Sequence, residues 1–199
     1  MVKTRAYDAG GRRARAQENR ETTVARAEEL FLSGGYAATT VEAIAAAAGI
    51  SAATVYKSYG GKSGLVRELC RRALTGLGPV SAEQRSNALG ASDLAQDWGR
   101  LTAEVSPRIS PLVLLLTRAA DTDADAAALL LEIEQARMAR MTMNANRLRL
   151  REGVTLDDAR DVLWLVTSPE FYDLVVVRRG WSAERFGRLV SDTISGALL

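Results

Sequence analysis

The chain has 199 residues, 47% hydrophobic and 25% charged, with a formal net charge of +2. That is enough apolar material for a sizeable core, as one domain or two small ones. Cys70 is the only cysteine and histidine is absent, which excludes an intramolecular disulfide, Ser-His and Cys-His catalytic pairs, and the commonest transition-metal ligand.

From the N-terminus, Lys3, Arg5, Arg12 and Arg13 surround Gly10-Gly11 with little apolar content, and residues 1–13 are expected to form a mobile basic arm. Arg15 to Leu32 sets Val24, Ala25, Ala27, Leu30 and Phe31 on one helical face, which Gly34-Gly35 ends. Thr40 can cap a short helix, Val41 to Ala48, with Val41, Ile44 and Ala45 at helical spacing. Gly49 supplies the positive φ of a tight turn, Ile50 plugs the angle, and Ser51 caps a second short helix, Ala52 to Tyr59. Leu65, Leu69 and Ala73 mark a fourth helix that ends near Gly76, Gly78 and Pro79. Cys70 lies within it and reads as a buried structural thiol rather than a redox sensor. Up to Arg72, twelve basic residues stand against seven acidic ones, so the basic character is concentrated here and the remainder is mildly acidic. Such a distribution suits a polyanionic partner for the N-terminal module alone.

Val80 to Gly90 is polar and reads as a linker with at most a short turn, and everything beyond it reads as helix. Asp93 to about Val105 carries Leu94, Trp98 and Leu101; Pro107 and Pro111 are expected to break or restart the path. Leu112 to Ala120 is a buried helix too short for a membrane span, which takes ~20 apolar residues. After a turn at Asp121–Asp125, one long helix is expected to reach about Arg151. Thr155 with Asp158 resembles a capping box before the stripe Ala159, Val162, Leu163, Val166. Ser168-Pro169 restarts the helix and gives Phe171, Leu174 and Val175 a face; Gly180 stops it. Trp181 before the cap Ser182 is placed to staple onto Phe186, which opens the final stripe with Leu189, Val190, Ile194 and Ala197. No alternating strand pattern or internal repeat occurs. The basic N-terminus is not followed by a signal-peptide apolar region, so a soluble, cytoplasmic protein is expected.

Two helices joined by a short turn containing glycine form the unit that lays its second helix in the DNA major groove. Gly35-Tyr36, Thr40, Ala45, Ala48-Gly49, Ser51, Thr54-Val55-Tyr56, Tyr59, Lys62 and Leu65 follow one another here in the order and spacing of the tetracycline-repressor (TetR) family of bacterial transcription regulators. The chain resembles that family over roughly its first quarter to third. Ser58 departs from the family, which often has His there, and Gly60-Gly61 replaces a bulkier linker. The resemblance implies an all-α chain: a helix-turn-helix domain at residues 14–62, a connecting helix at 63–79, and a helical effector-binding and dimerisation domain at 80–199. It implies double-stranded operator DNA, a small-molecule effector and a second copy of the chain as partners, with no cofactor, metal or membrane.

Within that frame, Thr40 offers its hydroxyl and nearby backbone N–H groups to a phosphate, and Tyr56 and Lys62 match the family's phosphate-contact positions. Direct readout falls to Ala52, Ala53, Thr54 and Lys57, with Ser58 beside them; the alanines offer methyls to thymine, and Lys57 can donate to guanine O6/N7. Glu42 suits the helix N-terminus, or else accepts from cytosine N4. Candidate effector contacts are Trp98, Arg118, Met138, Met141, Trp164, Phe171 and Tyr172, which together suit an apolar or aromatic molecule. The implied dimer interface uses the last two helical regions through Val162, Val166, Leu174, Phe186, Leu189, Val190 and Ile194. The competing readings are a sequence-nonspecific architectural DNA protein and a helical enzyme with a DNA-binding module. The latter lacks a phosphate loop, HExxH or CxxC, and Asp157, Asp158 and Asp161 are accounted for by their place at a helix start.

Overall fold

The computed structural model describes residues 9–75, 80–89 and 93–199. The expectations for Lys3, Arg5 and the glycine-proline end of the fourth helix lie outside the described residues. Those residues contain ten α-helices, one π-helical turn and no strand, so the all-α class holds. One compact unit ends at Glu68 and a second begins at Leu69.

The first unit holds α1 (Ala9–Gly34), α2 (Val41–Ala48), α3 (Ala52–Tyr59) and the start of α4 (Lys62–Thr75). Helix α1 starts at Ala9 rather than Arg15, so the described part of the expected arm is helical. Ala9, Ala14 and Ala16 interleave with Arg13 and Arg15, all strong helix formers, and they carry the helix through Gly10-Gly11. Val24, Ala27, Phe31, Ile44, Val55 and Leu65 are buried in this unit. Phe31 and Tyr36 stack at 5.7 Å, and the buried Thr39 hydroxyl lies 2.8 Å from the Gly35 carbonyl and 3.1 Å from that of Leu30. A threonine thus fixes the corner by which the chain leaves α1 and enters α2.

The second unit holds α5 (Ala82–Ala88), α6 (Leu94–Ala119), α7 (Ala124–Ala145), α8 (Leu156–Val166), α9 (Pro169–Tyr172), a π-helical turn (Asp173–Val177) and α10 (Ala183–Leu198). Helices α6 and α10 touch backbone to backbone where Gly99 faces Gly187. A Cβ on either glycine would run into the carbonyl oxygen of the other, and one on Gly187 would also meet the Ala103 methyl. The close approach lets Trp98, Phe186, Val190 and Ile194 share one buried cluster with Met141, Leu163 and Tyr172. Tyr172 meets Phe186 edge-on at 5.4 Å and Phe171 meets it tilted at 5.9 Å. Cys70, on α4, is buried, and burial pushes its thiol up to about 12, so it stays protonated at neutral pH.

Several element ends differ from expectation for physical reasons. Helix α6 runs unbroken through Pro107 and Pro111. Each proline removes one intrahelical bond, but Trp98 on one side and Leu112, Val113 and Leu116 on the other are buried, and packing overrides the local break. Residues 82–88 are a helix rather than a linker, started by a capping box in which Ser81 and Gln84 satisfy each other's backbone N–H groups. Helix α7 stops at Ala145, not Arg151, because the following arginines are used elsewhere. Trp181 is covered by the Arg185 guanidinium at 3.6 Å, while Phe186 is wholly buried against Phe171 and Tyr172.

Three arginines close the ends of helices remote from them in sequence. The Ser168 N–H turns to the Leu165 carbonyl, which leaves the Trp164 carbonyl without its usual donor; Arg137 of α7 supplies one. Arg147 donates to Ser86 O at 2.8 Å and Leu89 O at 3.0 Å, at the end of α5. Arg151 gives its backbone N–H to Leu198 O at 2.9 Å and its guanidinium to Gly196 O at 3.2 Å, at the end of α10. A cation at a helix C-terminus also suits the negative end of the helix dipole.

Gly99→Ala and Gly187→Ala should each force α6 and α10 apart and cost about 1–3 kcal/mol, as overpacking does. Thermal denaturation of each variant checks this; melting at the wild-type temperature would mean that the helices do not need the close approach.

Candidate nucleic-acid interface

The chain between α2 and α3 turns as its residue types demand. The Thr40 side chain accepts the Ala43 N–H at 3.1 Å and starts α2. Gly49 closes that helix at φ 69°, with the Ile50 N–H bonded to Ala45 O at 3.0 Å. Ser51 then caps α3, accepting the Thr54 N–H at 3.2 Å. Within α3 only Val55 is buried, and it is fully buried. One anchor residue therefore leaves the rest of the helix surface for a partner.

Of the expected DNA contacts, Thr40, Ala53, Thr54, Tyr56, Lys57 and Ser58 are exposed and Ala52 is half-buried. Tyr56 is 51% exposed, unusual for an aromatic side chain that packs in a core. The Thr54 hydroxyl is 2.8 Å from the Ser51 hydroxyl, so a base edge would have to share it with the cap. Glu42 is exposed in the first turn of α2, where a carboxylate favours the helix dipole. Tyr59 is half-buried and its hydroxyl donates to Arg20 O at 3.3 Å, a structural role.

Lys62 carries a structural task in addition to the expected phosphate contact. It is half-buried at the start of α4; its ammonium donates to Tyr36 O at 3.0 Å and sits 4.3 Å from the centre of the Tyr36 ring. It thereby pins α4 to the segment between α1 and α2 and fixes the far end of α3. Two glycines allow the intervening turn: Gly60 adopts φ 78°, and a Cβ on Gly64 would run into the Tyr59 carbonyl.

The expected effector residues do not form one site. Trp98, Met141 and Tyr172 are in the buried cluster of the second unit, with Trp164 and Phe171 packed against it. Trp98 donates its indole N–H to the Ser86 hydroxyl at 2.9 Å, and burial pushes the Tyr172 phenol up. Arg118 is exposed on the last turn of α6 and Met138 is half-buried on α7; neither joins the cluster. The interior guanidinium is instead Arg137, 4.7 Å from the centre of the Trp164 ring, with its pKa lowered by desolvation against the opposing pull of Glu134 and Glu170. A cavity of about 250 Å³ opens among Asp93, Leu94, Arg147, Leu148, Ser191 and Ser195, and none of the seven candidates lines it.

The interface expectation is corrected for Phe186, Val190 and Ile194. All three are wholly buried within the protomer, and Val166 is 4% exposed, so their side chains have no surface to offer a second copy. Val162 and Leu189 are half-buried and Leu174 is 52% exposed. The apolar surface that α8 and the π-helical turn present is Leu165, Leu174 and Val177. The signal was readable, since Leu165 lies opposite the Ala159–Leu163–Val166 stripe.

Among the described residues no group of acids is placed to hold a metal, and no helix is long and apolar enough to cross a membrane. The acids at the start of α8 have other partners: Asp158 completes the Thr155 capping box, whose hydroxyl holds its carboxyl below the usual range, and Asp157 and Asp161 both bind Arg160.

Residues 24–69 match the family model described as bacterial regulatory proteins, tetR family. The fold is similar to that of NalD, the secondary repressor of the MexAB-OprM multidrug efflux pump in Pseudomonas aeruginosa, at 20% identity over 94% of this chain and 98% of that one, with a TM-score of 0.72. It is also similar to SmeT in complex with triclosan, at 22% identity over 91% of each chain and a TM-score of 0.71. A transcriptional regulator from Saccharomonospora viridis in complex with choline gives 16% identity over 92% of this chain and 98% of that one, with a TM-score of 0.67. No curated protein matches the chain.

Lys62→Met should lower stability by about 1–2 kcal/mol, from the lost charged hydrogen bond and cation–π contact. Lys57→Met, at an exposed site, should stay within about 0.5 kcal/mol of wild type. Chemical denaturation of both variants separates the pin from the free cation; equal stabilities would remove the structural role of Lys62.

Proposed function

We propose that this chain, a TetR-family regulator by its DNA-binding domain at residues 24–69 and by its fold, represses transcription from a short pseudo-palindromic operator. The observation that carries this reading is α3: a capped helix held by Val55 alone, with Ala53, Thr54, Tyr56, Lys57 and Ser58 turned to solvent. Tyr56 and the start of α2 at Thr40 serve phosphates, while Lys57 reaches a base edge. A remaining N–H of Lys62 can serve a phosphate while another holds Tyr36. The protein acts in the cytoplasm, where its operator lies.

A small molecule bound in the second unit releases the operator. The triclosan and choline complexes of similar folds support this reading. Two copies associate through α8, the π-helical turn and the outer side of α10. The exposed Leu165, Leu174 and Val177, with Leu189 beside them in the interface, give that surface an apolar centre. Dimerisation matters to function because one recognition helix covers too few base pairs to select a site, whereas a two-fold pair reads two half-sites a helical turn apart.

Lys57→Ala should relax discrimination at one base-pair position per half-site, at about 1–3 kcal/mol, while Tyr56→Phe should weaken all sequences alike. Footprinting and binding titrations on a selected operator and its single-base variants test both. A diffuse footprint without two-fold symmetry would replace the repressor by an architectural protein.

The double variant Leu165→Glu, Val177→Glu should sediment as a helical monomer with weak operator binding. Val190→Arg should instead unfold the second unit, because it places an unpaired charge in the core. Sedimentation with circular dichroism distinguishes these; a double variant that remained a dimer would move the interface elsewhere.

A further inference from the structure

Helix α5 is attached to its unit almost entirely by polar contacts. Ala82 is its only buried residue, and the attachment runs through Ser86 to Trp98, through Arg147, and through Arg85 to Glu104 of α6. Arg85 grips Glu104 end-on with both terminal nitrogens, at 2.8 and 2.7 Å. A second guanidinium, Arg108 one turn along α6, reaches the same carboxylate oxygen at 3.5 Å, the long limit of a hydrogen bond. The side chains of Arg85, Glu104 and Arg108 are 33%, 21% and 27% exposed, so all three charges are partly desolvated.

The group is unbalanced in both charge and hydrogen bonding. Two cations share one carboxylate, and the Nε–H groups of Arg85 and Arg108 are both buried without an acceptor. A lysine or an acid in this position could neutralise itself, but a guanidinium cannot lose its proton here. The deficit can only be met by an acceptor that carries negative charge. Both guanidiniums touch the same oxygen, so their terminal nitrogens are neighbours, and the loosely held Arg108 can turn about its long contact. An oxyanion offers two or more oxygens at the spacing of the guanidinium fork.

We propose that Arg85 and Arg108 form a receptor for a small oxyanion, a carboxylate or a phosphate, seated beside Glu104 and locking α5 against α6. The anion supplies the missing acceptors and balances the surplus cation. A ligand bound only by the folded unit raises its melting temperature by mass action.

The test is a thermal titration of the full chain with sodium acetate, sodium phosphate or sodium chloride at matched ionic strength. Wild type should show a saturable rise of a few degrees over chloride; a response to acetate alone or phosphate alone assigns the ligand class, and a response to both assigns the shared chemistry. Hydrogen exchange across α5 should slow in parallel. Arg108→Met, which keeps the Arg85–Glu104 pair, should lose the response and, in chloride, melt at or above wild type. Identical behaviour of wild type in all three salts, or an undiminished response in Arg108→Met, overturns the proposal. So does an Arg108→Met protein that melts several degrees lower in chloride, since Arg108 would then already be satisfied.

Discussion

The second unit depends on two helices whose backbones touch. With no side chain between Gly99 and Gly187, α6 and α10 approach until the carbonyl of each occupies the space where the other's Cβ would lie. That distance decides what fits around the crossing. Trp98 lies beside Gly99 and Phe186 beside Gly187, so the two largest inward side chains flank the contact and fill the grooves on either side of it. Met141, Leu163 and Tyr172 then meet a surface whose relief is already set. Glycine is costly inside a helix, by about 1 kcal/mol relative to alanine. Here the cost is offset by the packing that the approach permits.

The first unit obtains its precision differently, from polar pins on a small core. Thr39 ties the α1–α2 corner to two carbonyls, Ser51 and Thr40 start the short helices, and Lys62 fastens α4 to Tyr36. Helices of eight residues are too short to persist unaided. Their ends must be fixed individually, and nearly every fixing residue is one the sequence pattern also marks as close to DNA. Position and recognition are therefore served by the same side chains, as at Thr54, whose hydroxyl is divided between Ser51 and any base edge.

Much of this was legible in the sequence. The caps Thr40, Ser51, Thr155, Ser168 and Ser182 stand where side chain and spacing place them, because a cap is a local event that depends on three or four neighbouring residues. What could not be read was set by long-range packing. Pro107 and Pro111 are helix breakers by local rules, yet α6 continues because both flanks are buried. The stripe Phe186, Val190, Ile194 shows that one face of α10 is apolar, but periodicity does not say whether that face meets its own protomer or another; zero exposure does. The interior candidates failed for a similar reason. Composition favoured Arg118, but the buried guanidinium is Arg137, recruited by a carbonyl that the Ser168-Pro169 break leaves without a donor.

The arginine caps bear on the order in which the chain folds. Helical bundles form quickly because most of their contacts are local. These caps join residues 27, 45 and 61 positions apart. The end of α5 waits for a residue beyond α7, and the residue that closes α10 precedes α8. Helix ends are thus completed only after the middle and C-terminal segments have docked, which places the three guanidinium bonds late on the pathway, past the transition state. Interactions formed that late leave the folding rate nearly unchanged and act on the rate of unfolding. For a chain rich in arginine, the abundant cation then sets how long the folded unit persists rather than how fast it forms.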